Sequence, residues 1–338
     1  APAAPAAAEA PIATEPTAAP AASKFGGTLR IGSLTDPDSL NVLASNSITS
    51  SWILDLLYPS LLTYSEAGQK VGYLAKEWTT SEDGKTITYK LQPGLKWDDG
   101  TPVTSKDVKY TAEVTLKETI GFNATMLADV ASIETPDDET VVFTLNNPSA
   151  VFATSVGYWL KVVPEHVWSQ AGENKTFTNE NPVGAGPFKL TKYERGQYWE
   201  LEPQGETWLA PEGKPYLDKI QFRIYPDMNT MVLALKSGEL DAIANPVPPA
   251  AATDLAQDSN IEILKTASLG YGHITFNMQS PNAPALQDKA VRQALAMATN
   301  KDAIQNIVLQ GNSQQIAVPI SPVLGDYHNP NIQDWAFD

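Results

Sequence analysis

Apolar side chains recur at helical spacing in several segments of the chain, and each segment begins at a residue type that commonly caps a helix. Pro59 predicts that the first helix ends near Tyr58, because proline cannot continue a helix. Thr104 and Asp107 have the spacing of a capping box, and Gly311 is expected to stop the last helix. The predicted helices start at Ser47, Thr104, Asp227, Asp288 and Asp302.

Other segments alternate apolar and polar residues, which is the pattern of half-buried strands. The turn Glu82-Asp83-Gly84-Lys85 predicts a hairpin. Because helices and strands alternate without a strict strand–helix–strand repeat, the pattern favours a mixed α/β or α+β architecture. The predicted strands cover residues 26–32, 87–91, 140–145, 189–193, 198–202, 219–225, 239–243 and 271–277.

Composition narrows the class of protein. A chain of 338 residues with 42% apolar residues can form two domains with a sizeable core. Lys and Arg number 23 against 39 Asp and Glu, so the net charge is −16, and no basic surface for nucleic acid is expected. The sequence contains no run of about 18 apolar residues, the length that a transmembrane helix requires. With no cysteine, disulfides, thiol nucleophiles and Cys-ligated metals are excluded.

Residues 1–23 consist almost entirely of Ala, Pro, Thr and Glu, which predicts a disordered, extended tether. The chain begins with Ala rather than Met, which is consistent with removal of an export signal. The alternative is that Ala1 marks the boundary of a gene fragment. Tethers of this composition often follow the lipid-anchor cysteine of bacterial surface lipoproteins, so an anchor just before Ala1 is a hypothesis.

Catalytic and metal-binding patterns are weak. The three histidines, His166, His273 and His328, are far apart and have no metal-ligand spacing, and no GxSxG motif occurs. The pairs Asp98/Asp99 and Asp137/Asp138 lie in predicted turns, where Asp bonds the backbone. We therefore expect no catalytic residue, no metal site and no cofactor, and we interpret His166 as a helix-start or surface residue.

Aromatic residues give a different indication. Tyr158 and Trp159 fall in a segment too irregular for a core strand. Rigid rings on a loop suit a ligand cleft, although packing in a core or interface is the alternative.

Several segments, taken together and in order, resemble one family. The sequence is similar to the dipeptide/oligopeptide-binding family (family 5) of bacterial extracellular solute-binding proteins, from about residue 25 to the end. Any one segment alone is weak, but the ordered set is specific. The segments are 57–62 (LYPSLL), 73–78 (YLAKEW), 83–91 (DGKTITYKL), 96–108 (KWDDGTPVTSKDV), 163–166 (VPEH), 181–188 (NPVGAGPF), 235–241 (LKSGELD) and 288–295 (DKAVRQAL), after Asp36-Pro37.

The resemblance implies a mixed α/β, two-lobed fold of the type II periplasmic-binding-protein kind. It implies a first lobe from residues 24–46 and 181–269, an inserted subdomain at 47–180 and a second lobe from 270 to 338. In the family the second lobe is longer, so the sequence resembles a C-terminally truncated member with an incomplete second lobe. The acidic residue that receives a peptide ammonium would lie in the missing part.

The resemblance also implies a monomeric binding protein, periplasmic or extracellular and tethered to the outer face of the cytoplasmic membrane if the anchor is present, that captures peptides and delivers them to an ABC permease. Its only membrane contact would be the lipid anchor. Gly184 and Gly186 are expected to serve backbone conformation. Carried over by position, the ligand-binding candidates are Asn46, Ser47, Ile48, Thr49, Tyr158, Trp159, Asn245 and Tyr271.

Three alternatives remain open at this point. The same fold also binds oligosaccharides or nickel chelates, and the segments above do not separate these solutes. A secreted hydrolase would account for the paired carboxylates and the tryptophans, but the absence of catalytic spacing counts against it. A surface adhesin or sensor could keep the fold without transport.

Overall fold

A computed structural model describes residues 24–65, 69–205, 213–266, 268 and 270–338. The chain divides into two compact units, Ala1–Tyr225 and Pro226–Asp338. The predicted tether at 1–23 lies outside the described residues. The predicted assignment of 24–46 with 181–269 to one lobe, 47–180 to an insertion and 270–338 to another lobe stays a prediction.

The first unit contains most of the regular structure. Its strands are β1 (Thr28–Ser33), β2 (Leu62–Tyr64), β3 (Lys70–Gly72), β4 (Ala75–Thr80), β5 (Thr86–Leu91), β6 (Val130–Asp137), β7 (Thr140–Leu145), β8 (Phe188–Glu194), β9 (Tyr198–Pro203) and β10 (Lys219–Ile224). Its α-helices are α1 (Ile48–Leu57), α2 (Ser105–Lys117), α3 (Gly121–Leu127), α4 (Phe152–Trp159) and α5 (Glu165–Trp168).

One sheet of the first unit places β1, β10, β9 and β8 side by side. β1 pairs with β10 in parallel, and the other two pairs are antiparallel. The ring of Phe222 on β10 lies between two indoles: its centroid is 5.0 Å from that of Trp199 and 6.3 Å from that of Trp52, both nearly parallel to it. This stack joins α1 to the sheet.

A second sheet has the strand order β4-β5-β7-β6, and all its pairs are antiparallel. Along β5 and β7 every second side chain is buried, and Ile87 is paired with Phe143. Helix α2 packs against β6 and β7. Tyr89 on β5 donates its hydroxyl proton to the carbonyl oxygen of Ala153 in α4 at 2.6 Å, which fixes α4 over the sheet.

The second unit is mostly helical turns and irregular chain. Among its described residues from 256 onward, Ser321 is the only one that is buried. Its elements are α6 (Met228–Lys236), β11 (Ala242–Ile243), α7 (Pro249–Leu255), α8 (Lys289–Met297) and α9 (Lys301–Ala303), with 3-10 turns at Pro284–Gln287 and Pro322–Tyr327 and a π-helical turn at Ile304–Val308.

Most of the predicted elements are confirmed within a few residues. The predicted hairpin is β4–β5, and the predicted helix from Ser47 ends at Leu57. Asp227 and Asp288 cap α6 and α8 through their side chains.

Two predictions are wrong, that of a strand at 271–277 wholly and that of a helix from Asp302 in part. Residues 271–277 form neither strand nor helix, so Tyr271 does not lie on a strand. Ile274 is 70% exposed, and within the described second unit no strand runs alongside to accept the backbone hydrogen bonds that a strand requires. The helix predicted from Asp302 is one α-helical turn followed by the wider π turn, which ends at Val308. Gly311, which was expected to stop the helix, lies just beyond that end with a φ of 75°.

Candidate functional site

A pocket of about 570 Å³ opens on the first unit between residues 42–46, α1, α3 and α4. All of its walls come from this unit. Its lining residues are Val42, Leu43, Ser45, Asn46, Ile48, Ser51, Trp52, Leu54, Asp55, Phe122, Asn123, Tyr158, Trp159 and Lys161.

The segment that leads into the pocket is held by the buried side chain of Asn41. Its amide group donates to the carbonyl oxygens of Asn174 at 2.7 Å and Phe177 at 2.9 Å. Its side-chain oxygen accepts from the backbone N–H groups of Leu43 and Ala44, both at 3.0 Å. One side chain therefore fixes the backbone just before the pocket to a segment more than a hundred residues away.

Asp38 holds the same segment to α1. Its Oδ1 accepts the hydroxyl protons of Ser45 at 2.7 Å and Ser50 at 2.6 Å. Burial raises the pKa of Asp38, but the hydrogen bonds from Ser50 and Ser45 outweigh it and the pKa lies below its usual value. The ionised carboxylate is therefore the form that orders the pocket rim.

Aromatic rings form one wall of the pocket. Trp159 makes edge-to-face contacts with Phe122, at 6.5 Å between centroids, and with Tyr158, at 5.1 Å. Tyr158 in turn meets Tyr64 edge-on at 4.7 Å. Phe122 is 60% exposed and Trp159 is 53% exposed, so this wall is open to a ligand.

An ion pair lies beside Tyr158. Lys161 Nζ is 3.2 Å from Asp55 Oδ1 and 5.2 Å from the centroid of the Tyr158 ring. Burial, and secondarily the negative charge of Asp55, raise the pKa of the Tyr158 hydroxyl, so this ring stays neutral. The lysine side chain is only 16% exposed, whereas that of Asp55 is 50% exposed.

The C-terminal end of α1 is fixed by the glycine-rich segment 181–188. The N–H groups of Ala185 and Gly186 both donate to the carbonyl oxygen of Leu57, at 3.0 and 2.8 Å. A Cβ at Gly184 would stand 2.4 Å from that oxygen. These glycines were predicted to serve backbone conformation, but neither has a positive φ, and the structure gives close packing as the reason.

The pocket brings together half of the predicted ligand-binding residues. Asn46, Ile48, Tyr158 and Trp159 line it. The irregular loop predicted for Tyr158 and Trp159 is wrong, because both belong to the last turn of α4.

Two predicted residues of the same segment do not line the pocket. Ser47 is the N-cap of α1, and its carbonyl oxygen accepts from the backbone N–H of Ser51 at 3.1 Å. Thr49 is buried, and its hydroxyl is 2.7 Å from that of Thr35.

The remaining two predicted residues, Asn245 and Tyr271, lie in the second unit, Asn245 just after β11 and Tyr271 at a half-exposed irregular position. Their role stays a prediction.

Sequence reasoning missed Phe122, Asp55 and Lys161. The short helix α3 that carries Phe122 has no long apolar periodicity, and an ion pair between residues 55 and 161 leaves no mark in a single sequence.

Two of the predicted turn carboxylates, Asp99 and Asp137, have structural partners, and Asp137 Oδ1 accepts from the backbone N–H of Glu139 at 2.9 Å. Asp99 Oδ1 accepts from the backbone N–H of Thr101 at 2.9 Å, and its Oδ2 lies 2.6 Å from His166 Nε2. His166 is in the single turn of α5, so its prediction as a helix-start residue is confirmed.

Within the described ranges no three potential metal-ligating side chains cluster, and no described helix is long and apolar enough to span a membrane.

Comparison with known proteins gives a consistent set of relatives. The family described as bacterial extracellular solute-binding proteins, family 5 Middle, matches residues 70–338. The oligopeptide-binding protein AppA of Bacillus subtilis is 29% identical over 307 residues, which are 89% of this chain and 55% of that protein. The dipeptide-binding protein of Escherichia coli is 29% identical over 292 residues, 78% of this chain and 52% of that one. The chain thus spans about half the length of these relatives.

Solved structures agree. The structure of Bacillus subtilis AppA in complex with a nonapeptide matches with a TM-score of 0.83 and 28% identity, covering 94% of this chain and 62% of that one. DppA from Helicobacter pylori in complex with the peptide STSA matches with a TM-score of 0.80 and 25% identity, covering 93% and 64%. These are two-lobed, type II periplasmic binding proteins, so the predicted mixed α/β fold class is confirmed. The chain belongs to family 5 of the bacterial extracellular solute-binding proteins.

Proposed function

We propose that this chain captures peptides outside the cytoplasm and delivers them to the permease of an ABC transporter. The observation that carries the proposal is the open aromatic pocket at Phe122, Tyr158 and Trp159. It lies in a chain whose relatives are named as oligopeptide- and dipeptide-binding proteins. Pockets of roughly 300–1,000 Å³ lined by aromatic residues with a few polar groups are the usual form of small-ligand sites.

The physical basis for capture is an extended peptide held mainly through its main chain. Hydrogen bonds to backbone groups do not depend on sequence, so side-chain pockets then set the preference. In this proposal the pocket of the first unit receives a ligand side chain. Asn245 and Tyr271 remain further candidate ligand contacts in this proposal.

The proposed location is the periplasm or the outer face of the cytoplasmic membrane. The family is extracellular by its description, and a tether at residues 1–23 with a lipid anchor before Ala1 is the finer form of the proposal. The protein would act as a monomeric binding protein that leaves its peptide chemically unchanged. The lack of a catalytic motif in the sequence and the structural partners of Asp99 and His166 support a binding role over hydrolysis.

A thermal-shift screen of the purified chain tests the proposal. Ligands that bind the folded state stabilise it and so raise the melting temperature. At a ligand concentration of 100 times the dissociation constant, the free energy of unfolding increases by about 2.7 kcal/mol. We expect a shift with di- to pentapeptides of mixed sequence and none with cello-oligosaccharides or nickel–histidine. A shift with sugar or nickel chelate alone would leave the family assignment standing and overturn the proposal that the ligand is a peptide. Mass spectrometry of the incubated peptides should find them intact, and cleaved products would overturn the binding role in favour of hydrolysis.

A further inference from the structure

Three exposed apolar side chains point to the kind of group that the pocket takes. Ile48 is 70% exposed, Phe122 60% and Trp159 53%, and all three line the same pocket. They come from three different helices, α1, α3 and α4, so their convergence is a product of the tertiary fold. Large apolar surface gathered in one concave site is stabilised when an apolar group covers it.

Three of the polar side chains that line the pocket are already engaged within the protein. The hydroxyl of Ser45 donates to Asp38 at 2.7 Å, and that of Ser51 donates to the carbonyl oxygen of Ser47 at 3.1 Å. The side-chain amide of Asn46 donates to the carbonyl oxygen of Ala44 at 3.4 Å. A ligand side chain that formed hydrogen bonds with these three groups would have to displace the existing contacts, whereas an apolar one would leave them in place.

The charges of the pocket cancel. Asp55 and Lys161 are the charged residues among its lining, and they pair with each other at 3.2 Å. The ammonium of Lys161 also faces the Tyr158 ring, and its side chain is mostly buried. A charged ligand group entering here would lose hydration without gaining an unpaired counter-charge.

On the basis of the proposed function, we propose that this pocket selects an uncharged aromatic or large aliphatic side chain of the bound peptide, and that the Asp55–Lys161 ion pair sets this preference. Asp55 keeps the cation of Lys161 from attracting acidic side chains. Lys161 in turn keeps the carboxylate of Asp55 from attracting basic ones. The pair therefore sets specificity by keeping the pocket free of net charge, while the rings of Phe122 and Trp159 attract the apolar ligand side chain.

Calorimetric titration with matched tripeptides tests this inference. The probes are Ala-Phe-Ala, Ala-Ala-Ala, Ala-Glu-Ala and Ala-Lys-Ala, added to the 338-residue chain. We expect Ala-Phe-Ala to bind about tenfold more tightly than the other three, since about 1.4 kcal/mol of apolar contact gives that ratio. Trp159→Ala should remove most of this advantage.

Charge variants then test the role of the ion pair. Asp55→Asn should raise the affinity for Ala-Glu-Ala about fivefold to tenfold, because an uncompensated lysine is left at the pocket. Lys161→Met should raise the affinity for Ala-Lys-Ala by a similar factor. Asp138→Asn is the matched control, because it removes the carboxylate of another surface pair, with Lys106 at 3.4 Å, away from the pocket.

The outcomes separate this inference from the proposed function. Equal binding of all four tripeptides would overturn the selectivity and leave peptide capture standing. Charge variants that leave the preference among tripeptides unchanged would overturn the role of the ion pair. If none of the tripeptides and none of the longer peptides bound, the proposed function would fail, and the inference with it.

Discussion

Gly186 lies so close to the last turn of α1 that a Cβ at this position would stand 2.1 Å from the carbonyl oxygen of Leu56. The atoms that such a Cβ would meet belong to the backbone of Leu56 and Leu57, so the clash could not be relieved by rotating a side chain. We expect Gly186→Ala to lower the free energy of unfolding by about 1–3 kcal/mol, which is the usual cost of overpacking. Urea denaturation measures it. Gly272→Ala is the control, because its Cβ would meet nothing within 4 Å. Equal effects of the two substitutions would contradict the close packing.

The buried amide of Asn41 gives a second prediction. Asn41→Ala leaves the carbonyl oxygens of Asn174 and Phe177 and the N–H groups of Leu43 and Ala44 without their side-chain partner. We expect a loss of about 2–4 kcal/mol, because orphaned buried polar groups each cost about 1–3 kcal/mol and part of the loss is recovered from water. Peptide affinity should fall as well, since the pocket rim is released. Asn260→Ala, which removes one exposed side-chain hydrogen bond to Asp258, should change neither.

Two phenylalanines separate packing from binding. Phe222 is buried between Trp52 and Trp199, whereas Phe122 is mostly exposed at the pocket. Phe222→Ala should cost about 3–5 kcal/mol of stability, because it opens a cavity in the stack. Phe122→Ala should cost less than about 0.5 kcal/mol and weaken peptide binding instead. Thermal unfolding and titration of both variants check this, and a large loss of stability in Phe122→Ala would show that the ring is structural.

The pH dependence of stability should include a contribution from Glu118. Its carboxylate accepts from the side chain of Asn174 at 3.0 Å and from the N–H of Lys175 at 2.8 Å. Burial raises the pKa of Glu118, but these hydrogen bonds outweigh it, so the pKa lies below its usual value. The resulting stabilisation is complete above the unfolded pKa of about 4.3 and is lost as pH falls through the lower folded pKa.

Glu118→Gln therefore should cost about 1 kcal/mol at neutral pH, a value kept small because the group is partly solvated, and much less at pH 3. Urea unfolding across this range measures the difference. Glu113→Gln, within α2 and ion-paired with Lys109 on the surface, is the control. A constant deficit at all pH values would mean that the carboxylate charge plays no part.

Local signals in the sequence were enough for most of the fold. The turn at Asp83-Gly84 and the alternation at Ile87, Tyr89 and Leu91 act over a few residues, so the β4–β5 hairpin could be predicted. The N-cap of α6 at Asp227 is local in the same way, since its carboxylate accepts from the N–H of Thr230 three residues on. The segment 271–277 has the same alternation, but its neighbours in space, not its own residues, decide whether it pairs.

The candidate pocket was predictable only in part. Ile48 was predicted from the resemblance to the family, and Trp159 from its aromatic character as well as that resemblance. Phe122 and the Asp55–Lys161 pair became visible only in the fold. These side chains meet because Asn41 ties residues 42–46 to the segment near 174 and because α4 is fixed over the second sheet. Such long-range contacts depend on tertiary packing, which periodicity and caps do not encode.

The parallel pairing of β1 with β10 has a consequence for how the chain is made. Gly27 and Asp218, which immediately precede the two strands, are hydrogen-bonded to each other although they are 191 residues apart along the chain. Strands β4 to β7, by contrast, are close together in sequence. On the ribosome, β1 emerges first and must wait unpaired until β10 has been synthesised. Closing so long a loop costs more entropy than closing a hairpin, so the β4–β7 sheet can form well before the first strand is secured. Throughout that interval β1 has an unpaired hydrogen-bonding edge, which is the form of chain that chaperones protect.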